Sequence, residues 1–417
     1  MSDGRAEYFG ASVIEVVDSQ AIEELKDRVF DARASAPMGV AIVGHGSRRS
    51  CGRAVEAGST ISTAGLLGWS HAPEDMTLIV GAGESISSVQ ERLLLHRQRL
   101  SVDPPLRTVS GRPDLGTVGG LVATADQGSL RYRYGGVREL VIGARYVTGD
   151  GVVARSGSQV IKNVAGYEIA KVLVGSLGTL AILTDVAFRL HPLPSETFEI
   201  VVDDLSLTAA CHLGSRLARQ SVSLSALYHW DASMVGRVEG EGLATRKLAE
   251  RVARSLEMDL NDLPDGDGSV RVAIRSGDEL SQRFALVCGG DDLVLRVACR
   301  SFEAHQVEKL VEAWCEPRPS LVSFLGSGIV DLRWDKRSLA DGGERTSIGE
   351  SVRHLRSAFP SQWWRQVPTW ARDVVVGDEI VSLDPNAVAL MRSFKAALDP
   401  ESIFERGRMG AWYELKS

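Results

Sequence analysis

The sequence predicts an α+β protein: a first domain, an α/β cap, and a C-terminal helix that returns to the first domain. Three observations carry this. Strand-like runs alternate with helical ones from near the start, and glycine-rich turns crowd residues 116–189 between apolar runs. The composition then changes after His191-Pro192-Leu193-Pro194, whose two prolines mark a domain boundary. The expected division is 1–195, 196–383 for the cap, and 384–417 for the last helix and tail.

Taken in order, residues 12–17 alternate as a strand, 21–30 have helical spacing, and 39–43 form a short apolar strand entering a turn. A strand over 77–80 leads into Gly81-Ala82-Gly83 and a helix over 85–98, with Ile86, Val89, Leu93 and Leu94 on one side. Beyond Gly116 the chain reads as loop until strands at 140–147 and 152–154, joined by Thr148-Gly149-Asp150-Gly151, whose D-G pair favours a hairpin. A short helix over 167–174 is ended by Gly175, and 180–190 alternates as a strand.

In the cap, helices at about 245–256, 301–314 and 347–358 alternate with strands at about 198–202, 270–275, 294–299, 321–333 and 374–382. The last helix, 386–398, gathers Ala387, Leu390, Met391, Phe394, Ala397 and Leu398 on one face before Asp399-Pro400 stops it. Such a face must dock on something, and the first domain is expected.

With 417 residues and 44% hydrophobic content the chain can build more than one core. Lys and Arg number 47 against 54 Asp and Glu, and a net charge of -7 argues against nucleic acid as a principal partner. The five cysteines, Cys51, Cys211, Cys288, Cys299 and Cys315, are odd in number and form no C-x-x-C pair, which disfavours a disulfide framework, a zinc site and an iron–sulfur cluster. The first ten residues carry no basic and apolar leader pattern, and no run of about 18 uncharged apolar residues occurs. A cytoplasmic chain without direct membrane insertion is expected, with membrane association only through partners.

Four glycine loops compete for ligand chemistry. The first, V-G-H-G-S-R-R at 43–49, follows a strand and offers backbone donors around Gly44 and Gly46, a hydroxyl at Ser47, and cations at Arg48 and Arg49 that suit a pyrophosphate. The second, L-I-V-G-A-G-E-S-I at 78–86, starts like a dinucleotide fingerprint, and Asp103 lies about 20 residues on, where a ribose-binding acid would belong. However, Ile86 replaces the third glycine and no parallel β-α-β continuation follows, so a structural strand–helix turn is expected. The third and fourth loops, 117–125 and 175–182, place Thr117, Ser176 and Thr179 among glycines ahead of apolar runs. Glycines at this density let backbone N–H groups approach an extended, anionic, ring-bearing cofactor.

The ordered set T-V-G-G at 117–120, S-L-R at 129–131, Y-G-G-V-R-E-L-V-I-G at 134–143, K-N-V-A-G-Y-E at 162–168 and G-S-L-G-T-L-A-I at 175–182 resembles the FAD-binding domain of the vanillyl-alcohol oxidase superfamily. Within it, the chain is similar to the FAD-binding E subunits of glycolate oxidase over about residues 12–195 and the C-terminal tail. The resemblance implies that Gly44, His45, Gly46 and Ser47, with Arg48, wrap the FAD pyrophosphate. Thr117, Gly119, Gly120, Ser129, Gly178, Thr179, Ile182 and Arg408 are implied to line the rest of the cofactor. Arg138, Lys162, Asn163 and Tyr167 are the candidate catalytic residues, polar groups expected to face the flavin ring; the alternatives are that Tyr167 packs at a helix N-terminus and that Arg138 is a surface ion-pair partner.

Three positions depart from the family pattern. Glu168 stands where Asp is usual, the tail reads Glu405-Arg406-Gly407-Arg408 in place of N-P-G-R, and His45 stands where glycine is frequent. The histidine that attaches FAD covalently in some relatives directly precedes Ser or Thr; here Gly46 intervenes, so noncovalent FAD is expected.

Catalytic dehydrogenases of this superfamily carry a histidine-rich metal stretch in the cap, whereas here only His212, His229, His305 and His354 lie beyond residue 195, none at ligand spacing. No metal site is expected. Two readings follow. One is a flavoprotein subunit that oxidises glycolate or a similar small 2-hydroxy acid and passes electrons to a flavoprotein paralogue and an iron–sulfur subunit. The other is a non-catalytic flavin-fold subunit that stabilises the paralogue.

Overall fold

The computed structural model describes residues 16–35, 38–109, 112–157, 168–220, 222–261, 270–288, 292–335, 342–359, 361–372, 385–410 and 413. The chain opens with the helix Ser19–Ser35. Asp18 caps it, accepting the Gln20 amide at 2.8 Å. Ile22, Leu25, Val29 and Ala32 recur at helical spacing and bury one face against Val40 and Ile61. Val40–Val43 pairs in parallel with Ser59–Ser62. Residues 12–15 of the expected first strand lie outside the described residues, and Val17 sits in an irregular bend.

A five-stranded antiparallel sheet forms the rest of the first domain's frame, in the order Trp69–Ala72, Thr77–Gly81, Ile182–Arg189, Val141–Val147, Val153–Gly157. The helix after Gly83 spans Ile86–Leu94, shorter than the expected 85–98, because the chain turns back through Arg97 at φ 53° into a short strand at Gln98 and Arg99. Ile86, Val89 and Leu93 are buried as expected, and Leu94 is half exposed. The stretch read as loop holds three short helices, Val118–Thr124, Arg131–Tyr134 and Val137–Leu140. Glycine lowers helix propensity, but the Thr117 cap and tertiary contacts outweigh it.

The second half is an eight-stranded sheet in the order Val272–Ser276, Glu196–Val202, Ser233–Gly240, Ala226–Trp230, Ser320–Phe324, Ile329–Trp334, Leu293–Ala298, Gln362–Gln366. Every neighbouring pair is antiparallel, so the expected α/β cap is corrected to an antiparallel sheet covered by helices. The run at 321–333 is two strands, divided at a turn where Gly326 and Gly328 take φ 75° and 64°. The expected strand at 374–382 lies outside the described residues.

The helices Leu207–Arg219, Gly242–Asn261, Ala304–Trp314 and Gly342–Ala358 bury their apolar faces on one side of this sheet, against Ile200, Leu227, Leu295, Val330 and Leu332 among others. The other side carries a smaller apolar cluster that includes Val201, Tyr228, Val235 and Phe324, and beside it buried charges at the two-residue period of a strand: Glu199, Arg237, Glu239, Arg296, Asp331, Arg333 and Arg365. From this face Arg365 and Glu239 reach Asp126 and Arg99 of the first domain.

The C-terminal helix Pro385–Leu398 docks on the first domain through Met391, Phe394 and Leu398. Leu390 and Ala397, expected on the docking face, are exposed, and Lys395 is fully buried instead. The residues that follow add to the first strand: Val40 N–H donates to Ile403 at 2.7 Å, and Glu405 N–H donates to Val40 at 2.8 Å.

Candidate cofactor site

An open cleft lies where the first, third and fourth glycine loops converge with the C-terminal tail. Its walls include Gly44, His45, Gly46, Ser47, Arg48 and Thr117. Gly119, Gly120, Gly178, Glu405 and Arg408 complete the part that bears on the chemistry.

The first loop leaves the strand Val40–Val43 and turns at Gly46, φ 82°. Among the described residues, no protein acceptor takes up the backbone N–H groups of His45, Gly46 and Ser47. Backbone amides that no protein acceptor takes up are open to a ligand, and a phosphate group is the chemical complement of such a cluster. A Cβ at Gly44 would lie 2.6 Å from Thr117 Oγ1, and one at Gly116, φ 80°, would overlap the Arg48 guanidinium. Only glycine lets the first and third loops approach this closely.

Thr117 caps the helix Val118–Thr124, its Oγ1 accepting the Gly120 amide at 3.2 Å. The second glycine loop braces it: Val118 and Gly119 amides donate to Glu84 and Ala82 carbonyls at 2.9 and 2.8 Å. Cβ atoms at Gly81 and Gly83 would run into the backbone of residues 63–68. The second loop is therefore a structural strand–helix turn, with Ala82 reaching the cleft wall.

The tail closes the other side. Glu405 accepts the Ile42 amide at 2.8 Å and Arg49 at 2.6 Å through Oε1, while Oε2 receives Arg408 at 2.8 and 3.1 Å. Arg408 Nη1 in turn donates to the carbonyls of Arg49, Cys51 and Arg53 at 2.9, 2.9 and 3.2 Å. Arg408 thus lines the cleft while spending its guanidinium on stapling the first loop to the tail.

Arg48 is buried at the cleft wall, where desolvation weakens its hold on its proton. Its Nη1 donates to Leu115 at 2.7 Å, its Nε lies 3.5 Å from Asp126, and neither Nε nor Nη2 has a hydrogen-bond partner among the described residues. Desolvation works against the Asp126 carboxylate, but Arg365, Arg107 and Arg48 outweigh it and hold its pKa far below the usual carboxylate range. Arg365 comes from the cap, at 2.7 Å, and its other nitrogen binds Asp331 at 3.0 Å.

His45 lies on the rim, its Nδ1 3.3 Å from Asp114. Three expected cofactor residues lie off this lining. Ser129 donates to Asp103 at 2.7 Å, Thr179 is fully buried with its hydroxyl on the Ser176 carbonyl at 2.6 Å, and Ile182 is fully buried in the core beside Val40. Arg138 is exposed on the helix Val137–Leu140 and also off the lining. Lys162, Asn163 and Tyr167 lie outside the described residues. Asp126, Arg365 and Ala82 were not anticipated as site residues; charges embedded in apolar runs, as in V-L-R-V-A and W-W-R-Q, are the sequence signal for the cap members. No group of three or more His, Cys, Asp or Glu side chains suited to a metal occurs among the described residues.

The donor cluster, the buried cation and the side-chain-poor wall fit FAD, whose pyrophosphate wants donors and whose ring wants a flat surface. Residues 16–157 match the family profile described as FAD binding domain. The chain is 30% identical to the glycolate oxidase subunit GlcE of Escherichia coli over 168 residues, 40% of this chain and 46% of that one. It is 27% identical to D-lactate dehydrogenase of Archaeoglobus fulgidus over 375 residues, 85% of this chain and 82% of that one. The match thus spans less than half of the glycolate oxidase subunit. Among solved structures, alkyldihydroxyacetonephosphate synthase superposes with a TM-score of 0.61 at 13% identity, covering 92% of this chain and 75% of that one. Among the described residues, no helix is long and apolar enough to cross a membrane.

Proposed function

We propose that this chain, which carries an FAD-binding domain over residues 16–157 on a fold of the vanillyl-alcohol oxidase type, is the FAD-holding subunit of a flavin-dependent 2-hydroxy acid oxidase or dehydrogenase complex of the glycolate type. The observation that carries this reading is the cleft itself, where free amides of the first loop, the glycine wall and the tail meet. FAD, when bound, supplies a two-electron acceptor for hydride from the substrate. The chain's own residues hold the pyrophosphate at the amides of His45, Gly46 and Ser47 and keep side chains away from the ring at Gly119, Gly120 and Gly178. Lys162, Asn163 and Tyr167 belong to the proposal as ring-facing polar groups; Arg138, exposed and off the lining, is not carried into it.

A small 2-hydroxy acid as substrate is supported by the named relatives, a glycolate oxidase subunit and a D-lactate dehydrogenase. A flavoprotein paralogue and an iron–sulfur subunit as electron partners, and a cytoplasmic location, are parts of the same proposal. The division at about residue 195 is another part, supported by the separate apolar clusters of the two halves.

A second reading, a non-catalytic flavin-fold subunit, is favoured by one observation. Arg296 and Arg365, buried on the cap face turned to the first domain, are already held by Asp331 and Asp126 and so are not free for a substrate carboxylate.

Visible spectroscopy of the purified chain tests the cofactor. Flavin bands that leave with the supernatant on denaturation are expected, and a colourless protein that takes up no added FAD would overturn the proposal. Anaerobic mixing with glycolate and with D-lactate then separates the readings. Bleaching, alone or once the partner subunits are added, supports the oxidoreductase, whereas flavin that stays oxidised in the assembled complex supports the non-catalytic subunit.

A further inference from the structure

The cap meets the cofactor cleft through its edge strand, Gln362–Gln366, and three consecutive residues there each reach a different part of the cradle. Arg365 binds Asp126 at 2.7 Å. The Gln366 side chain accepts from Arg107, which also lies 3.3 Å from Asp126. The Val367 amide donates to the Ser50 carbonyl at 2.7 Å, immediately after the first glycine loop.

Two of these contacts, Arg365 directly and Gln366 through Arg107, converge on one carboxylate. Asp126 is buried, and the guanidinium groups of Arg48, Arg107 and Arg365 surround it. Only Arg48 of the three reaches the cleft wall. Arg365 shares Asp331 with Arg296, so four guanidinium groups face two carboxylates across the interface. That surplus of positive charge ends at Arg48, whose Nε and Nη2 have no hydrogen-bond partner among the described residues and which lines the same cleft as His45, Gly46 and Ser47, whose amides are expected to hold the pyrophosphate.

We propose that Asp126 is a positioning residue that couples cap docking to FAD binding. On the first-domain side its charge lies 3.5 Å from Arg48 Nε and holds that guanidinium electrostatically at the cleft wall, beside the Leu115 carbonyl that Nη1 binds; on the cap side it is itself held by Arg365. Cap contacts remote from the cleft therefore set part of the FAD affinity, and FAD binding strengthens cap docking in return, since coupling between two binding events is reciprocal. The inference rests on FAD binding by this domain and on nothing about the substrate. The parent protein's own FAD affinity, measured first, tests that premise separately.

The experiment is a double-mutant cycle on FAD affinity, read by flavin fluorescence with apoprotein of the full chain, using Asp126→Asn, Arg365→Met and the pair. Arg365→Lys, which keeps the charge but cannot bridge two carboxylates, serves if the Met variant does not fold. Each single variant is expected to weaken FAD binding by about 5- to 150-fold, the usual span of site-to-site coupling. The pair is expected to be no weaker than Asp126→Asn alone. Hydrogen exchange of the strand Gln362–Gln366 is expected to slow on adding FAD to the parent protein and not to Asp126→Asn. An Arg365 variant that melts earlier yet binds FAD with unchanged affinity would make the contact merely structural and overturn the proposal. So would additive losses in the pair.

Discussion

Lys395 Nζ lies 2.7 Å from the Asp399 carboxylate with both side chains fully buried, at the point where the C-terminal helix hands over to the tail. The ammonium also donates to the Thr179 carbonyl at 2.7 Å, and Asp399 accepts the Ile403 and Phe404 amides at 3.0 and 2.9 Å. One ion pair thus ties the last helix, the fourth glycine loop and the tail together. Removing one partner of a buried pair leaves an uncompensated charge at a cost of about 3–5 kcal/mol. Lys395→Met is expected to lose that much in urea unfolding and to bind FAD more weakly, because the tail brings Glu405 and Arg408 to the cleft.

Arg408 makes its contacts through a planar fork that lysine cannot reproduce. Arg408→Lys is expected to raise the Kd for FAD about 10- to 100-fold, corresponding to the roughly 1.5–3 kcal/mol of a hydrogen bond to a charged group. Titration of apoprotein with FAD measures this. An unchanged Kd would mean that the tail closes the cleft without that staple.

Gly116 adopts φ 80°, and a methyl group there would overlap Arg48 and lie 2.6 Å from Ser47 Oγ. Gly116→Ala is expected to destabilise the fold by more than about 1 kcal/mol and to weaken FAD binding by displacing Arg48. Gly65 is exposed with nothing near its Cβ direction. Gly65→Ala is therefore the control, expected within about 0.5 kcal/mol of the parent in thermal unfolding.

His191 packs on Tyr134 with ring centroids 4.6 Å apart, and burial, then the nearby Arg189, Arg99 and Arg133, push its pKa down to about 4. The folded state binds the imidazole proton less readily than the unfolded chain, whose histidine titrates near 6.5. Stability from this residue is therefore present above about pH 6.5 and declines as pH falls toward 4. His191→Gln is expected to remove that part of the stability profile, and unfolding midpoints from pH 7 to 4 check it. Identical slopes for parent and variant would contradict the assignment.

The glycine loops and the strands around them were legible because they rest on local chemistry. Gly46, Gly116 and Gly178 stand at positive φ, which glycine alone adopts freely, and an apolar run before a glycine turn marks a strand whatever surrounds it. The helix over 118–124 was not legible, because its stability comes from the Thr117 cap and from amides that donate to Ala82 and Glu84, some 35 residues earlier in the chain. The rotation of the last helix was hidden for a similar reason. A lysine reads as a solvent-facing residue until the carbonyl of Thr179 and the carboxylate of Asp399 are brought to it.

By itself, the sequence determined that glycine-rich turns between apolar strands would build a side-chain-poor, donor-lined cradle, and that FAD suits it. Tertiary structure decided which of the expected residues stand in that cradle and which do not. It set Arg48 at the wall, turned Ser129, Thr179 and Ile182 inward, and closed the cleft with Glu405 and Arg408 from a tail more than 350 residues away in the chain. It also turned the charged side of the cap sheet toward the first domain, so that Arg365 meets Asp126. The physical reason is that turn geometry is fixed by a residue and its neighbours, whereas the pairing of buried charges depends on which surfaces the whole chain folds together.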